Sequence, residues 1–492
     1  MSQQVYLAVD LGAGSGRVMA GIVEAGRMRL EELHRFPSPG ANILGSHYWD
    51  IAQIFGAVKE GLKIAFAKYG DAVRSLGVDT WGVDYGLIDA QGRLLGMPYQ
   101  YRDARTKGMI DLADKKLGKA KLYRATGNQF MFFNTVFQML SEVAGKSPAL
   151  KIADRLLFIP DLLNYFLTGK KVNERTIAST SQMLNPVTGN WALPELRKLG
   201  VPARLLGRIV NPGTSLGPLL RQVAQETGAP KGLKVVAVGS HDTASAFAAV
   251  PAAGARAAFV SSGTWSLFGI ETGRPVLKDD PENPVFTNEA GLCGTTRFLK
   301  ILCGMWLVQE TKRTWDEAGD KHSWDEITSM ATTTPFTAFI NPDHPSFVEP
   351  GDMPARIAAF CRKTKQTPPA TKGALLRCIF ESLAMKYRHT FDQLERLAGW
   401  RPEVLHVVGG GSQNSLLNQI AADILGIPVV AGPVEATSAG NVLSQMMAAK
   451  EIKSLADGRK IIRASFDTTT FQPRPAEGLE DAFRRFLRVL DA

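Results

Sequence analysis

The stretch VYLAVDLGAGSGR at residues 5–17 decides how the chain is read. An apolar run from Val5 to Val9 delivers Asp10 into Leu11, Gly12, Ala13, Gly14, Ser15, Gly16 and Arg17, so a strand ends in a carboxylate beside a glycine-rich turn. Glycines let backbone N–H groups approach an anion closely, and with Ser15 and Arg17 they make a cradle suited to nucleotide phosphates. Asp10 stands where a hydrated divalent cation would bridge to those phosphates. The loop is not a Walker loop, which needs Gly-Lys-Ser/Thr, and it reads G-x-G-x-G rather than the dinucleotide fingerprint G-x-G-x-x-G. A tight hairpin without a ligand is the alternative.

Outward from this turn, strands are expected over 18–23 and 28–36. A helix follows over 49–69, with Ile51, Ile54, Phe55, Val58, Leu62, Ile64 and Ala65 broadly on one face. A short strand over 75–78 runs into DTWGVD at 79–84, and a strand over 85–88 ends at Gln91-Gly92. Near the midpoint, a strand over 234–238 ends in Gly239, Ser240, His241, Asp242 and Thr243, ahead of a small-residue helix from Ala244. A strand over 257–262, a turn through Gly263, Thr264, Trp265 and Ser266, and a strand over 267–270 then copy the opening design. This degenerate repeat predicts two related α/β domains, 1–250 and 251–492, with a cleft between them. The boundary is expected within 245–255, where Pro251-Ala252-Ala253-Gly254 supplies a turn. A last strand over 404–408 enters GGGSQN at 409–414 and a helix through Leu425.

Size and composition agree with two soluble domains. The chain has 492 residues, 45% hydrophobic and 21% charged, which suits two cores and excludes wholesale disorder. The net charge is +10, but Lys and Arg are scattered among acids, and the densest group, Lys115 to Lys121, is expected on a surface helix. This argues for handling small anionic phosphates rather than nucleic acid. The start lacks a signal peptide's basic and apolar regions, and no apolar run approaches the roughly 18 residues that cross a bilayer, so a cytoplasmic protein with no membrane partner is expected. Cys293, Cys303, Cys361 and Cys378 form no CxxC pair and are read as buried thiols, with a Cys361–Cys378 bridge open across a Thr- and Pro-rich loop. No HxxxH or HxH spacing supports zinc, and no long heptad pattern points to an oligomer.

Four segments have a functional and a structural reading. Asp242 is either a general base taking the proton of a substrate hydroxyl as it attacks phosphorus, or a helix N-cap. The turn at 261–266 offers hydroxyls and N–H groups to phosphate, or is a plain β-turn. Gly409, Gly410 and Gly411 allow a flat group such as adenine to approach, or simply open a helix. Trp81 and Gly82 between Asp79 and Asp84 suit a sugar, with an aromatic face for C–H surface and carboxylates for hydroxyls, or represent a buried Trp with surface acids.

DLGAGSGR at 10–17, DTWGVD at 79–84, SHDTASA at 240–246, SSGTWSL at 261–267 and VGGGSQN at 408–414, in this order, resemble the FGGY carbohydrate kinases. The likeness runs nearly end to end, through YRDARTKG at 101–108, TGNQFMFFNT at 126–135 and AGPVEATSAGN at 431–441. It implies two actin-like ATPase (ribonuclease H-like) domains and phosphorylation of a ketose with ATP and Mg²⁺. By position it implies Ala13, Gly14, Ser15, Gly16, Arg17, Thr264, Gln309 and Gly410 as ATP contacts. Gly82, His241, Asp242 and Thr243 become sugar contacts, Asp242 the proton acceptor, and Asp10 the metal contact through water. The implied acceptor is L-rhamnulose. Where family members can present an Asn to the sugar after the Lys of an RxLK segment, Ile301 follows Lys300, so L-fuculose or another ketose is the alternative. A non-catalytic sugar or nucleotide sensor is the alternative from another class, and a dinucleotide-dependent dehydrogenase a distant third.

Overall fold

Two short apolar runs that each end in an acid, 5–9 and 75–78, become neighbouring central strands. The computed structural model describes residues 3–254, 256–280, 283–332 and 336–490. It divides into two compact units. The first holds Met1–Ala253, Glu271–Phe298 and Glu435–Phe466, and the second Gly254–Ile270, Leu299–Val434 and Asp467–Ala492. The units are therefore interleaved in sequence rather than the contiguous 1–250 and 251–492 expected. The segments 271–298 and 435–466 return to the first unit, the latter as two helices, Ala436–Ala448 packed on its central strands and Leu455–Ser465 against the strand Arg27–Pro37. Residue 255, at the end of the expected boundary, lies outside the described residues.

The first unit's sheet comprises β1 (Gln4–Leu11), β2 (Ser15–Glu24), β3 (Arg27–Pro37), β4 (Val73–Thr80), β5 (Thr214–Pro218) and β6 (Lys234–Ala237), in the spatial order β5-β6-β4-β1-β2-β3. β1 is antiparallel to β2 but parallel to β4, β4 is parallel to β6, and β5 turns back antiparallel. Parallel strands covered on both faces read as unbroken apolar runs. Val5, Leu7, Val9, Leu76 and Val78 are accordingly all inaccessible to solvent.

The second unit repeats the pattern with β7 (Ala257–Ser262), β8 (Trp265–Thr272), β9 (Val404–Val408), β10 (Val429–Ala431) and β11 (Thr469–Phe471). Their order is β8-β7-β9-β10-β11. β7 is antiparallel to β8 and parallel to β9, β9 is parallel to β10, and β11 is antiparallel. Strand for strand this matches β2-β1-β4-β6-β5, so the sequence repeat is a fold repeat.

Several local expectations shift for physical reasons. The first helix spans Ile51–Tyr69 because Asp50 caps it, its side chain accepting from the N–H of Gln53, while Trp49 closes the strand Ser46–Trp49. Ile64 is exposed; two residues beyond Leu62, it falls on the opposite face, and Phe66 takes the core position. The lysine-rich segment is two helices, Met109–Leu117 and Lys119–Thr126, broken at Gly118, whose φ of 88° is left-handed. All four cysteines are free thiols. Cys303, Cys361 and Cys378 are buried, but Cys293 is exposed on a turn at φ 55°. Cys361 and Cys378 touch without a bond, and the neighbouring Cys361 thiol, together with burial, pushes the Cys378 thiol up. Among the described residues no helix is long and apolar enough to cross a membrane.

Candidate active site

Three carboxylates arrive at the same edge of the first sheet because three parallel neighbours, β1, β4 and β6, end there. Asp10 on β1 lies in register with Asp79 on β4, and Asp242 follows β6, held to β4 by the Thr80 N–H donating to the Ser240 carbonyl at 2.9 Å. Carboxyl ends of parallel strands are where open α/β sheets place ligands. The helix Ala436–Ala448 fixes two of these acids. Ser438 Oγ donates to Asp10 Oδ2 at 2.7 Å, and Asn441 Nδ2 to Asp79 Oδ2 at 2.6 Å. Gly440 lets that helix sit against the Ser245 backbone, where a Cβ would collide with the carbonyl. Asp79 Oδ1 is buried without a partner, and burial with Asp10 beside it pushes this carboxyl well up.

The opening turn has its carbonyls tied back. The Gly12 carbonyl accepts from Ser38 Oγ at 2.7 Å, Gly14 from the Ser38 N–H at 3.2 Å, and Ser15 from the Gly12 N–H at 3.0 Å. The N–H groups of Ala13 and Gly14 make no hydrogen bond among the described residues, which leaves a small anion nest. Gly14 and Ser15 are exposed. Gly16 is different: it is buried, and a Cβ there would meet Leu11 and Phe36, so its lack of a side chain serves packing. Arg17 is turned onto two acids, Nη2 at 3.0 Å from Asp10 Oδ2 and Nη1 at 2.5 Å from Glu435 Oε2.

Asp242 opens the helix Asp242–Ala248 as its first residue, with His241 in the cap position, so it is not the N-cap. Its Oδ1 accepts from the N–H of Thr243 at 2.5 Å and from Thr243 Oγ1 at 3.1 Å, while Oδ2 makes no hydrogen bond among the described residues. The side chain keeps 31% of its exposure, and burial of the remainder pushes the carboxyl up, with His241 partly opposing. Close by, a Cβ at Gly82 would stand 3.3 Å from Thr180 Oγ1 and 3.4 Å from His241 Nε2, tighter than ordinary contact, so glycine lets this backbone pack closely against the His241 ring.

DTWGVD otherwise behaves differently from the sugar-contact expectation. Trp81 is buried and donates its indole N–H to Asp84 Oδ2 at 3.0 Å, alongside Trp49 at 2.7 Å. Asp84 also accepts from Gln138 Nε2 and the Tyr101 N–H, and burial pushes it up to about 6. Asp79 and Asp84 are thus interior braces, neither a hydroxyl acceptor at the surface nor a surface acid.

In the second unit the turn between β7 and β8 uses the same device. Gly263 O accepts from the Met305 N–H at 2.9 Å and Thr264 O from the Gly304 N–H at 3.1 Å, leaving the Thr264 N–H without a hydrogen bond among the described residues. Thr264 Oγ1 donates to Gln309 Oε1 at 3.2 Å, so these two candidates are in contact. Gly409 and Gly411 pack on Ser262, where a Cβ at Gly411 would overlap the Ser262 side chain. Gly410 is exposed, with nothing within 4 Å of a built Cβ.

The profile of the N-terminal domain of the FGGY family of carbohydrate kinases matches residues 5–248, and that of its C-terminal domain matches 258–449. The chain belongs to the FGGY family. It is 43% identical over 484 residues to a rhamnulokinase from Bacteroides thetaiotaomicron, covering 98% of this chain and 99% of that protein. A rhamnulokinase from Bacillus subtilis is 39% identical over 472 residues, covering 96% of each. Among solved structures, this FGGY chain superposes on a gluconate kinase from Lactobacillus acidophilus at a TM-score of 0.82 with 16% identity, over 100% of this chain and 97% of the other. It also superposes on a glycerol kinase from Plasmodium falciparum with ADP at 0.78 and 14%, over 99% and 98%. At those identities the likeness is one of fold. The chain is a sugar kinase of the FGGY type.

Sequence reading assigned no role to several residues that build this site. Ser438 and Asn441 lie three apart in AGPVEATSAGN, a spacing that puts two small polar side chains on one helix face. Glu174 carried no such signal. It is buried, accepts from the N–H groups of Thr176, Ile177 and Ser240, and is pushed up to about 7 by burial.

Proposed function

We propose that this kinase transfers the γ-phosphoryl group of ATP to the 1-hydroxyl of L-rhamnulose. The observation that carries the chemistry is Asp242, with Oδ1 held by Thr243 and Oδ2 left without a hydrogen bond among the described residues. Oδ2 takes the proton of the attacking hydroxyl, and the raised affinity of this half-buried carboxyl for a proton suits a general base. Gly82, His241 and Thr243 line the acceptor sugar. Ala13, Gly14 and Ser15 offer N–H groups to phosphate, Gly16 holds the turn, and Arg17 supplies positive charge. On the second unit Thr264 and Gln309 contact phosphate, and Gly410 lies against the nucleotide base. Identities of 39–43% to rhamnulokinases over nearly the full length support the choice of sugar.

Asp10 fits a hydrated Mg²⁺. Its Oδ2 is saturated by Arg17 and Ser438, while Oδ1 makes no hydrogen bond among the described residues, and no cluster of three acids, His or Cys competes for an ion there. Magnesium keeps several waters and takes one or two carboxylates together with substrate phosphates, which is what one free carboxylate oxygen permits. When bound it would neutralise phosphate charge.

The test is a coupled assay with ATP and Mg²⁺ on L-rhamnulose, L-fuculose, L-xylulose, L-ribulose and glycerol. The highest kcat/KM is expected for L-rhamnulose. A higher value for another sugar would reassign the substrate through Ile301, and no turnover on any would overturn the kinase reading of the site.

A further inference from the structure

The ring of His241 is buried among three charged groups of the first unit. Nε2 is 3.3 Å from Asp242 Oδ1. Nδ1 is 3.2 Å from Glu289 Oε2 and 3.3 Å from Arg297 Nη2. Of the two groups at Nδ1, only Arg297 meets the ring with hydrogen-bonding geometry; Glu289 Oε2 makes none and stands as a counter-charge 3.0 Å from Arg297 Nη2. Arg297 is wholly inaccessible to solvent and cannot swing away, because its Nε donates to the Ala290 carbonyl at 3.1 Å.

A guanidinium has five donors, no acceptor, and does not lose its proton in proteins. The ring nitrogen it meets must therefore offer a lone pair, and which nitrogen carries the imidazole proton is set by the partner of the other. We propose that Arg297 is a positioning residue of the acceptor site: it donates to His241 Nδ1 and so fixes the imidazole proton on Nε2, the nitrogen facing Asp242 and Gly82.

Two unlike groups then face the sugar. Nε2–H is a donor for an oxygen adjacent to the reacting hydroxyl, and Asp242 Oδ2 is the acceptor for that hydroxyl's own proton. With the opposite tautomer both groups would be acceptors, and a substrate oxygen bearing no hydrogen would find no donor. This last step rests on Asp242 being the base; the tautomer assignment does not. Glu289 is the counter-charge of the guanidinium: burial alone would raise this carboxyl, but Arg297 first and His241 beside it outweigh burial and hold it low.

The test uses the full chain with ¹⁵N-labelled histidine, the His241 signals being assigned by their loss in His241→Gln. At pH 8.5 the wild type is expected to show its one-bond proton on Nε2; a proton on Nδ1 overturns the proposal without any variant. In Arg297→Met, Glu289 becomes the sole partner at Nδ1 and draws the proton there. The KM for ketose should rise about tenfold or more while the KM for ATP is unchanged. Arg297→Lys restores a donor and should recover part of the loss. Glu289→Gln keeps the guanidinium, so the tautomer should stay and the ketose KM change by about threefold at most. Equal losses in Arg297→Met and Glu289→Gln with the proton unmoved would reduce Arg297 to packing and sink the idea. If Asp242→Asn keeps wild-type turnover while the proton is found on Nε2, the base assignment falls and the tautomer assignment stands.

Discussion

The two hairpin turns, 12–14 between β1 and β2 and 263–264 between β7 and β8, solve one problem with different chemistry. Both tie their carbonyls back and leave N–H groups without hydrogen bonds among the described residues. The first is surrounded by ions: Asp10, Arg17 and Glu435 meet within salt-bridge distance. The second is surrounded by neutral groups, Thr264 against Gln309 and the glycines packed on Ser262. The repeated fold thus preserves a backbone device, while the surrounding side chains differ: ions in the first unit, neutral groups in the second.

The division breaks first at Asp242. Asp242→Asn is expected to lower kcat about 10²- to 10⁴-fold with little change in the KM for ATP, read by single-turnover and steady-state assay; near wild-type turnover would remove proton transfer from the ionic unit. Next in size is pH-dependent stability. Glu174, pushed up to about 7 by burial, keeps its proton in the folded state and loses it near 4.5 when unfolded. Between those values the unfolded state binds fewer protons, so stability falls as pH rises from about 4.5 to about 7, by up to about 3 kcal/mol. Glu174→Gln should flatten that slope in denaturant titrations, and an unchanged slope would mean that other groups of the first unit set it.

The glycines sharpen the contrast at smaller cost. Gly411→Ala drives a Cβ into Ser262 and should destabilise by about 1–3 kcal/mol in calorimetry. Gly14→Ala meets nothing within 4 Å and should leave the melting temperature nearly unchanged. Smallest are the side chains proposed to meet ATP. Arg17→Gln should raise the KM for ATP about tenfold and flatten its dependence on salt, since it removes a charge. Thr264→Val should raise it by about threefold with the salt dependence intact. If the two variants respond alike to salt, the turns are not chemically distinct.

The sheet, its repeat and the turns were legible because they rest on runs of neighbouring residues: Val5 to Asp10 and Ala257 to Ser262 declare strand and turn without reference to the rest of the chain. The place of Asp242, after a strand and at the head of a helix, was legible for the same reason. DTWGVD misled because Asp79 and Asp84 look exposed in a polar hexapeptide, and only the arrival of Asn441, Trp49 and Gln138 from distant segments shows that they are interior. Glu289 and Arg297 flank a glycine-containing turn through Gly291 and Gly294, but nothing local there points to His241, about fifty residues earlier. Interleaving of the two units was equally invisible, since nothing local in 435–466 says which sheet it will join.

The helix Ala436–Ala448 has a consequence for how the molecule is made. Ser438 and Asp10 are 428 positions apart, so on the ribosome the opening strand is finished long before its carboxylate finds a hydroxyl. Until then the nascent first unit carries Asp10 and Asp79 without the helix that covers them, and chains released early would expose this seam to proteases or chaperones. The same seam suggests where the polypeptide could be cut and reassembled: a fragment ending before residue 435 and a peptide beginning there should be inert apart and recover activity when mixed.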